Sequence, residues 1–154
     1  MTSLEENKAI VQQAWEIVFN QAHIDLAGKY FDDHYVEYKL DGSVATRGLE
    51  QLKKVSEWLL RVFPDFHCTI EELLAEGDKV LSQVMVTATH CGEYDGVAAT
   101  GRKVRFGIMM VSRIANGRIV EDRTLSDDLS LLKQIAEVSF VARQTEGAHE
   151  TLGK

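Results

Sequence analysis

The sequence predicts an α+β fold in which helices come first, a meander of antiparallel strands follows, and a last helix closes the domain. Apolar residues repeat at helical spacing before Pro64, and they alternate with polar residues at a period of two after it. Asn116-Gly117 separates two alternating runs, which is the strongest short-range signal for a β-hairpin. A helical pattern returns at Ser126. These observations predict one sheet covered by helices.

Capping and helix-breaking residues place the N-terminal helices. Ser3 and Glu6 have the spacing of a capping box, so the first helix is predicted to begin at Leu4. Pro64 ends a later helix, because proline cannot continue the backbone hydrogen bonding of a helix. The predicted helices of this half cover residues 4–20, 24–31 and 49–62, and an alternating run predicts a strand over 35–40.

Four longer alternating runs follow, separated by glycine-containing turns. The predicted strands cover residues 68–75, 79–91, 103–114 and 118–125, and a last helix covers 127–138. The sheet must curl over the helices to bury their apolar faces, and strong curvature would leave a conical pocket between them. We predict a single domain over residues 1–138 and a C-terminal tail over 139–154.

Composition narrows the class of protein. The length of 154 residues and the hydrophobic content of 45% favour one globular domain. The net charge of -7 argues against a nucleic-acid partner. Cys68 and Cys91 lie in apolar segments without metal-ligand spacing, and we expect both to be reduced core residues of a cytoplasmic protein. No apolar run is long enough to cross a membrane.

Several catalytic motifs are absent from the sequence. It contains no glycine-rich phosphate loop, no GxSxG nucleophile motif, no HExxH, and no metal-ligand spacing among its five histidines. We therefore expect no metal and no cofactor. Acid and base chemistry without a cofactor, or binding alone, remains.

The strand after the Asn-Gly turn has polar residues where a buried strand would have apolar ones. Period-two alternation places Val120, Asp122 and Thr124 on one face and Ile119 and Glu121 on the other. One face must look towards the core or a cavity. A carboxylate there is exposed, paired with a cation or used in chemistry.

Three stretches together resemble a known family. They read TATHCGEYDGVAATGRKVRF at 87–106, VSRIANGRIVED at 111–122 and DDLSLLKQI at 127–135. This sequence resembles the SnoaL-like polyketide cyclases (ester cyclases), a branch of the NTF2-like superfamily. The resemblance implies a cone-shaped barrel, in which a curved antiparallel sheet packs on N-terminal helices with a C-terminal helix. It also implies a small hydrophobic substrate in an apolar pocket and a homo-oligomer, either a dimer or a tetramer.

The resemblance also implies a mechanism. Family cyclases close a ring by intramolecular aldol condensation, with an aspartate as the base and an assisting histidine. Those positions fall here on Thr124 and Met110, neither of which can act as a base at neutral pH. Asp122 lies on the same predicted face, about 7 Å from Thr124 along the strand, and is the candidate substitute. Alternatively, Asp122 pairs with Arg113 or Arg105 across the hairpin.

Further residues complete the predicted site, each with a structural alternative. His90 belongs to the family's THxG run and is a candidate catalytic residue, or a buried structural histidine near a strand end. Tyr35 and Tyr38 could donate hydrogen bonds to a substrate carbonyl, or simply pack. The other candidate substrate-binding residues, which could equally be ordinary core or an ion pair, are Trp58, Phe106, Ile108, Met110 and Arg113.

Three functions are consistent with the sequence. The first is a cofactor-independent enzyme of secondary metabolism that cyclises or isomerises a hydrophobic carbonyl compound, with Asp122 as acid or base and Thr124 orienting the substrate. The second is a hydrolase or hydroxylase that adds water or oxygen, for which Asp122 is the one carboxylate expected in the pocket. The third is a non-catalytic member that binds a small molecule.

Overall fold

The computed structural model describes residues 2–137, which form three α-helices and one six-stranded sheet. The helices are α1, Leu4–Gln13; α2, Leu49–Val62; and α3, Asp128–Ile135. A π-helical segment, Ala14–Asn20, continues α1, and a 3₁₀ helix, Ile24–Lys29, follows it. The strands are β1, Phe31–Lys39; β2, Val44–Arg47; β3, His67–Glu76; β4, Lys79–Thr89; β5, Lys103–Ala115; and β6, Arg118–Ser126.

The sheet order is β2-β1-β6-β5-β4-β3. The four C-terminal strands form an antiparallel meander, and β1 pairs in parallel with β6. This one parallel pairing brings the N-terminal part of the chain beside the last strand. The sheet is curved and unclosed, with α1 packed against β3 and β4 and α2 against β1. The predicted α+β fold is thus confirmed.

Local chemistry explains the helix ends. Ser3 Oγ accepts a hydrogen bond from the Glu6 amide, and the Glu6 carboxylate accepts one from the Ser3 amide, so the predicted capping box is present. At the start of α3 the cap is Asp127, whose side chain accepts from the Ser130 amide. Asp127 and Asp128 therefore lie where the helix dipole favours negative charge.

Two N-terminal elements differ from the sequence prediction. The segment predicted as a helix over 24–31 is a shorter 3₁₀ helix, and β1 already begins at Phe31. Strand β2 has four residues and lies between the turn at Gly42 and the start of α2. A run that short does not reveal a period, so the pattern contained no signal for β2.

The predicted hairpin is present, but β6 contains an irregularity that the alternation did not indicate. Asn116 and Gly117 both have positive φ, as a type I′ turn requires. Ile114 pairs with Ile119 and Arg113 with Glu121, so Val120 is an extra residue in the ladder. The bulge puts Ile119 on the same face as Asp122, and the predicted face assignment of Ile119 and Val120 is therefore wrong.

The remaining sequence predictions have mixed outcomes. Cys68 is buried in the core, but Cys91 is exposed because it lies beyond the last residue of β4. None of the helices within residues 2–137 combines the length and apolar content of a membrane-spanning segment. The last helix ends at Ile135, where the chain becomes extended at Ala136, so its predicted end at Val138 is wrong. The predicted tail, 139–154, lies outside the described residues.

Candidate active site

A cavity of about 210 Å³ lies between the concave face of the sheet and the helices. Its helical wall is almost entirely apolar and consists of Val11, Ala14, Trp15, Phe19, Leu52, Val55, Ser56, Leu59 and Phe66. Its sheet wall mixes apolar and polar side chains from Phe31, Tyr35, Glu37, Ile108, Met110, Ser112, Ile119, Asp122, Thr124 and Ser126. The cavity thus has one apolar side and one side able to form hydrogen bonds.

Asp122 is the fully buried carboxyl of the sheet wall. Its side chain is 1% exposed, and both of its carboxyl oxygens accept hydrogen bonds. The Tyr35 hydroxyl donates to Oδ2 at 2.7 Å and the Ser112 hydroxyl donates to Oδ1 at 2.5 Å. A carboxyl group held from two sides has a fixed orientation, which general acid–base catalysis requires.

Burial controls the protonation of this cluster. Loss of solvent raises the pKa of Asp122 from 3.8 to about 7, although the hydrogen bonds from Ser112 and Tyr35 oppose that rise. Burial also raises the pKa of Tyr35 well above its usual value, and the neighbouring Asp122 contributes to that increase. Tyr35 therefore stays a hydrogen-bond donor. Asp122 can both lose and accept a proton near neutral pH.

The sheet register explains why these groups meet. Ser112 lies directly opposite Asp122 in the β5–β6 hairpin, and Tyr35 comes from the parallel strand β1. Arg113, one residue on from Ser112, points to the other face and pairs with Glu121, with 3.6 Å between Nη2 and Oε2. The alternative in which Asp122 pairs with Arg113 or Arg105 is wrong, because alternation along β5 puts both arginines on the face away from the cavity.

Thr124 and Met110 face each other across the same hairpin and both line the cavity. Thr124 Oγ1 is buried and has no hydrogen-bond partner among residues 2–137. An unpaired buried hydroxyl costs free energy unless a ligand or water satisfies it. Thr124 is therefore placed to bind a polar atom of a ligand, and Ile108 and Met110 supply apolar surface beside it.

Glu37 is a cavity residue that the sequence reasoning missed. It lines the cavity on β1, two residues after Tyr35, and is the register partner of Asp122 across the parallel pair. Its carboxylate accepts a hydrogen bond from Thr46 Oγ1 at 3.0 Å. The alternation of Tyr35 and Glu37 was a usable signal, since residues two apart on a strand share a face.

His90 lies outside the cavity lining and is fully buried near the end of β4. Its Nδ1 lies 2.9 Å from Thr100 Oγ1, and its backbone bonds to both Gly101 and Arg102. Its Nε2 is buried without a partner in the described part of the chain. These contacts hold the two ends of the loop 90–101 together. They match the structural alternative for His90, and the catalytic role remains a prediction without support from the cavity.

Three further predicted residues are also absent from the cavity lining. Tyr38 faces away from Glu37 on β1. The Arg123 guanidinium lies over the Tyr38 ring, 5.1 Å from the ring centre. Trp58 is 39% exposed and stacks on Tyr94. Phe106 packs in the core against Phe63, beyond the cavity on the same strand face as Ile108. Their predicted contact with a substrate has no support from this geometry.

The charges around the cavity bear on what it could hold. None of the described residues that line it is a lysine, arginine or histidine. Within residues 2–137 no three His, Cys, Asp or Glu side chains are grouped as metal ligands would be. The polar groups that a ligand would meet are carboxyls and hydroxyls.

Solved structures with this fold are similar over most of the chain. AclR from Streptomyces galilaeus, a proposed hydroxylase, superposes with a TM-score of 0.79 at 26% identity, covering 92% of this chain and 87% of its own. IdmH from Streptomyces antibioticus, a proposed polyketide cyclase, gives 0.72 at 26% identity, covering 83% of this chain and 96% of its own. A SnoaL-like protein from Jannaschia sp. CCS1 shares the fold, with a TM-score of 0.79 at 20% identity. The superposition covers 88% of this chain and 95% of that protein.

Family membership follows from the sequence profile. No functionally curated protein is a significant match to the sequence. The profile of the SnoaL-like polyketide cyclases matches residues 9–135, which include every strand and the cavity. The chain therefore belongs to the SnoaL-like polyketide cyclase family.

Proposed function

We propose that the protein is a cofactor-independent enzyme that moves protons on a hydrophobic carbonyl compound of secondary metabolism, in an aldol-type cyclisation or an isomerisation. The observation that supports this most directly is the buried Asp122 carboxyl on the polar wall of a cavity whose opposite wall is almost entirely apolar. Proton transfer at a carbon between carbonyls needs one well-placed acid or base, which contributes roughly 10²- to 10⁴-fold.

The pKa of Asp122 suits this role. An acid–base group works best when its pKa lies near the working pH, and burial brings the pKa of Asp122 to about 7. Tyr35 and Ser112 hold the carboxyl in place through both protonation states, since a hydroxyl can donate or accept. Thr124 binds the substrate oxygen through its unpaired hydroxyl.

The walls of the cavity favour an uncharged, ring-bearing substrate. Two carboxyls, Asp122 and Glu37, and no described cation line the cavity, so an anionic ligand would be repelled. Trp15, Phe19 and Phe66 offer aromatic surface to a flat ligand. The volume of about 210 Å³ exceeds the roughly 150 Å³ of an engineered apolar cavity that binds benzene, so one or two rings fit.

The test uses 2-tetralone, a neutral two-ring ketone, as a probe of proton abstraction. Exchange of its α-protons in deuterium oxide, followed by proton NMR, measures the reaction without knowledge of the natural substrate. We expect the wild type to accelerate exchange and Asp122→Asn to reduce that acceleration by roughly 10²- to 10⁴-fold. Asp95→Asn is the matched control, because Asp95 is exposed and has the positive φ that asparagine tolerates.

The proposal fails if Asp122→Asn, shown to be folded by circular dichroism, exchanges 2-tetralone as fast as the Asp95→Asn control. Retained binding of 2-tetralone with no catalysis in the wild type would instead support the non-catalytic alternative. Both outcomes can be measured on one set of samples.

A second candidate is a hydrolase or hydroxylase that adds water or oxygen. Two observations favour it: the similarity to AclR, a proposed hydroxylase, and the presence of Glu37 as a second carboxyl in the cavity. The sequence reasoning expected Asp122 alone there. Oxygen incorporation from isotopically labelled water or dioxygen into a confirmed product separates this candidate from cyclisation and isomerisation, which add no oxygen.

We also propose a homo-oligomer, either a dimer or a tetramer, in the cytoplasm. Met109 and Leu125 are register partners on the sheet face away from the cavity and are 44% and 52% exposed. A subunit contact would cover them. The free cysteines Cys68 and Cys91 suit a reducing compartment. Sedimentation equilibrium tests the assembly, and a monomeric result would overturn it.

A further inference from the structure

Glu37 and Asp122 form a pair of carboxyl groups within one cavity. They are register partners on the parallel strands β1 and β6, and neighbouring strands lie about 4.8 Å apart. Both side chains line the same cavity. A ligand that fills this space therefore meets two carboxyl groups on its polar side.

The two carboxyls differ in their surroundings. Asp122 is fully buried and fixed by Tyr35 and Ser112. Glu37 is half-buried, keeps contact with solvent and is oriented by Thr46. Two unequal environments separate the roles of two carboxyl groups, since burial favours the protonated form of Asp122.

We propose that Glu37 is the general base and Asp122 the general acid of a carboxyl pair that enolises the carbonyl substrate. This inference rests on the proposed function and specifies it further. Asp122 acts from its protonated form, which burial favours, and Glu37 acts from its carboxylate.

The surroundings of Asp122 favour its protonated form. Burial is the main cause of the raised Asp122 pKa, and the negative charges of Glu37 and then Glu121 add to it. The titratable groups that act on Asp122 are thus Tyr35 and Glu37 from β1 and Glu121 beside it on β6. No described cation among the cavity residues offsets them.

The proton transfers balance over a cycle. The Glu37 carboxylate takes the α-proton, the C–H electron pair becomes the C=C bond of an enol, and Asp122 gives its proton to the carbonyl oxygen. In ring closure the enol carbon attacks a second carbonyl, and Asp122 takes back the enol proton. The new alkoxide takes the proton from Glu37. The pair ends as it began, so no cofactor or net proton is consumed.

The substitution Glu37→Gln tests the base. It keeps an oxygen that can accept from Thr46, so we expect a folded protein. We expect the acceleration of 2-tetralone exchange to fall by about 100-fold. Glu37→Asp, which retains the carboxylate, should restore part of the rate.

Glu121→Gln is the matched control for electrostatics. Glu121 also raises the pKa of Asp122 but pairs with Arg113 and Arg123 on the other face of β6. We expect the Glu121→Gln variant to exchange 2-tetralone at a rate close to that of the wild type. A loss equal to that of Glu37→Gln would show that only the charge matters, and would overturn the assignment of Glu37 as the base.

The direction of the pH profile is the second readout. With Asp122 as the acid, the exchange rate must fall as pH rises through about 7, the pKa of Asp122. A rate that instead rises through that range would make Asp122 the base and overturn this inference, while a strong Asp122→Asn effect would still support the proposed function. An inert Asp122→Asn substitution would overturn both.

Discussion

Asp122 on β6 and His90 just after β4 are both buried ionisable residues, with 1% and 0% of their surfaces exposed, yet of the two only Asp122 lines the cavity. Asp122 accepts from two hydroxyls and faces the space between sheet and helices. His90 bonds to Thr100 and holds a loop in place. Burial alone therefore does not identify a reactive group. The adjacent open volume distinguishes a catalytic candidate from a structural one.

The pH dependence of stability gives the largest expected difference between the two sites. Asp122 titrates near 3.8 when unfolded and near 7 when folded, so it favours the folded state most strongly in acid. That advantage is complete below about 3.8 and is lost as pH rises to about 7. Over this pH range the free energy of unfolding loses about 4 kcal/mol of the contribution from Asp122.

Asp122→Asn removes this contribution, whereas Asp95→Asn does not. Urea unfolding between pH 4 and pH 8 should therefore show the wild type losing stability relative to Asp122→Asn as pH rises. Other carboxyls cancel in the difference between the two proteins. A difference that is independent of pH would contradict the burial of an ionisable group at this position.

A matched pair of threonine substitutions tests the two sites with the same chemical change. Thr100→Val removes the hydroxyl next to His90 Nδ1, and we expect a loss of about 1–3 kcal/mol because a buried nitrogen is left with a weaker partner. Thr124→Val removes a hydroxyl that has no partner in the described part of the chain, so this variant should be as stable as the wild type or more stable.

Chemical denaturation of both valine variants measures these effects. Thr124→Val should weaken binding of 2-tetralone, while Thr100→Val should leave binding unchanged. The opposite pattern, with Thr124→Val strongly destabilised, would mean that the Thr124 hydroxyl has a structural role.

The smallest expected effect comes from Tyr35→Phe. Its hydroxyl donates to Asp122 and favours the charged carboxylate, so its loss should raise the Asp122 pKa further. We also expect about 1 kcal/mol lower stability. Carbon-detected NMR titration of Asp122 measures the shift, and Tyr38→Phe, on the other face of β1, is the control that should leave it unmoved.

The sequence predicted the elements with long regular patterns and missed those with short or broken ones. The four long strands and α2 lie within a few residues of their predicted bounds, because each repeats its period many times. Strand β2 is too short to show a period. The Val120 bulge is invisible to a strict alternation rule, which is why Ile119 was assigned to the wrong face.

The sequence predicted the part of the site that lies on one hairpin better than the part that lies on a distant strand. Asp122, Thr124 and Met110 lie on the β5–β6 hairpin, and alternation across one turn places them together. Glu37 shares a strand face with the predicted Tyr35, but that both meet Asp122 depends on the pairing of β1 with β6, which joins distant parts of the chain. Local patterns contain no information about which distant strands become neighbours.

The parallel pairing of β1 with β6 also has a consequence for folding. Tyr35 and Asp122 are 87 residues apart in sequence, so their hydrogen bond forms only after a very large loop has closed. Contacts of such separation are slow to form. When the meander has formed but β1 has not yet docked, we expect Asp122 to be in contact with water and to have an ordinary acidity. The unusual acidity of this carboxyl would then appear at the last step of folding, and a pH-jump experiment could use it to time that step.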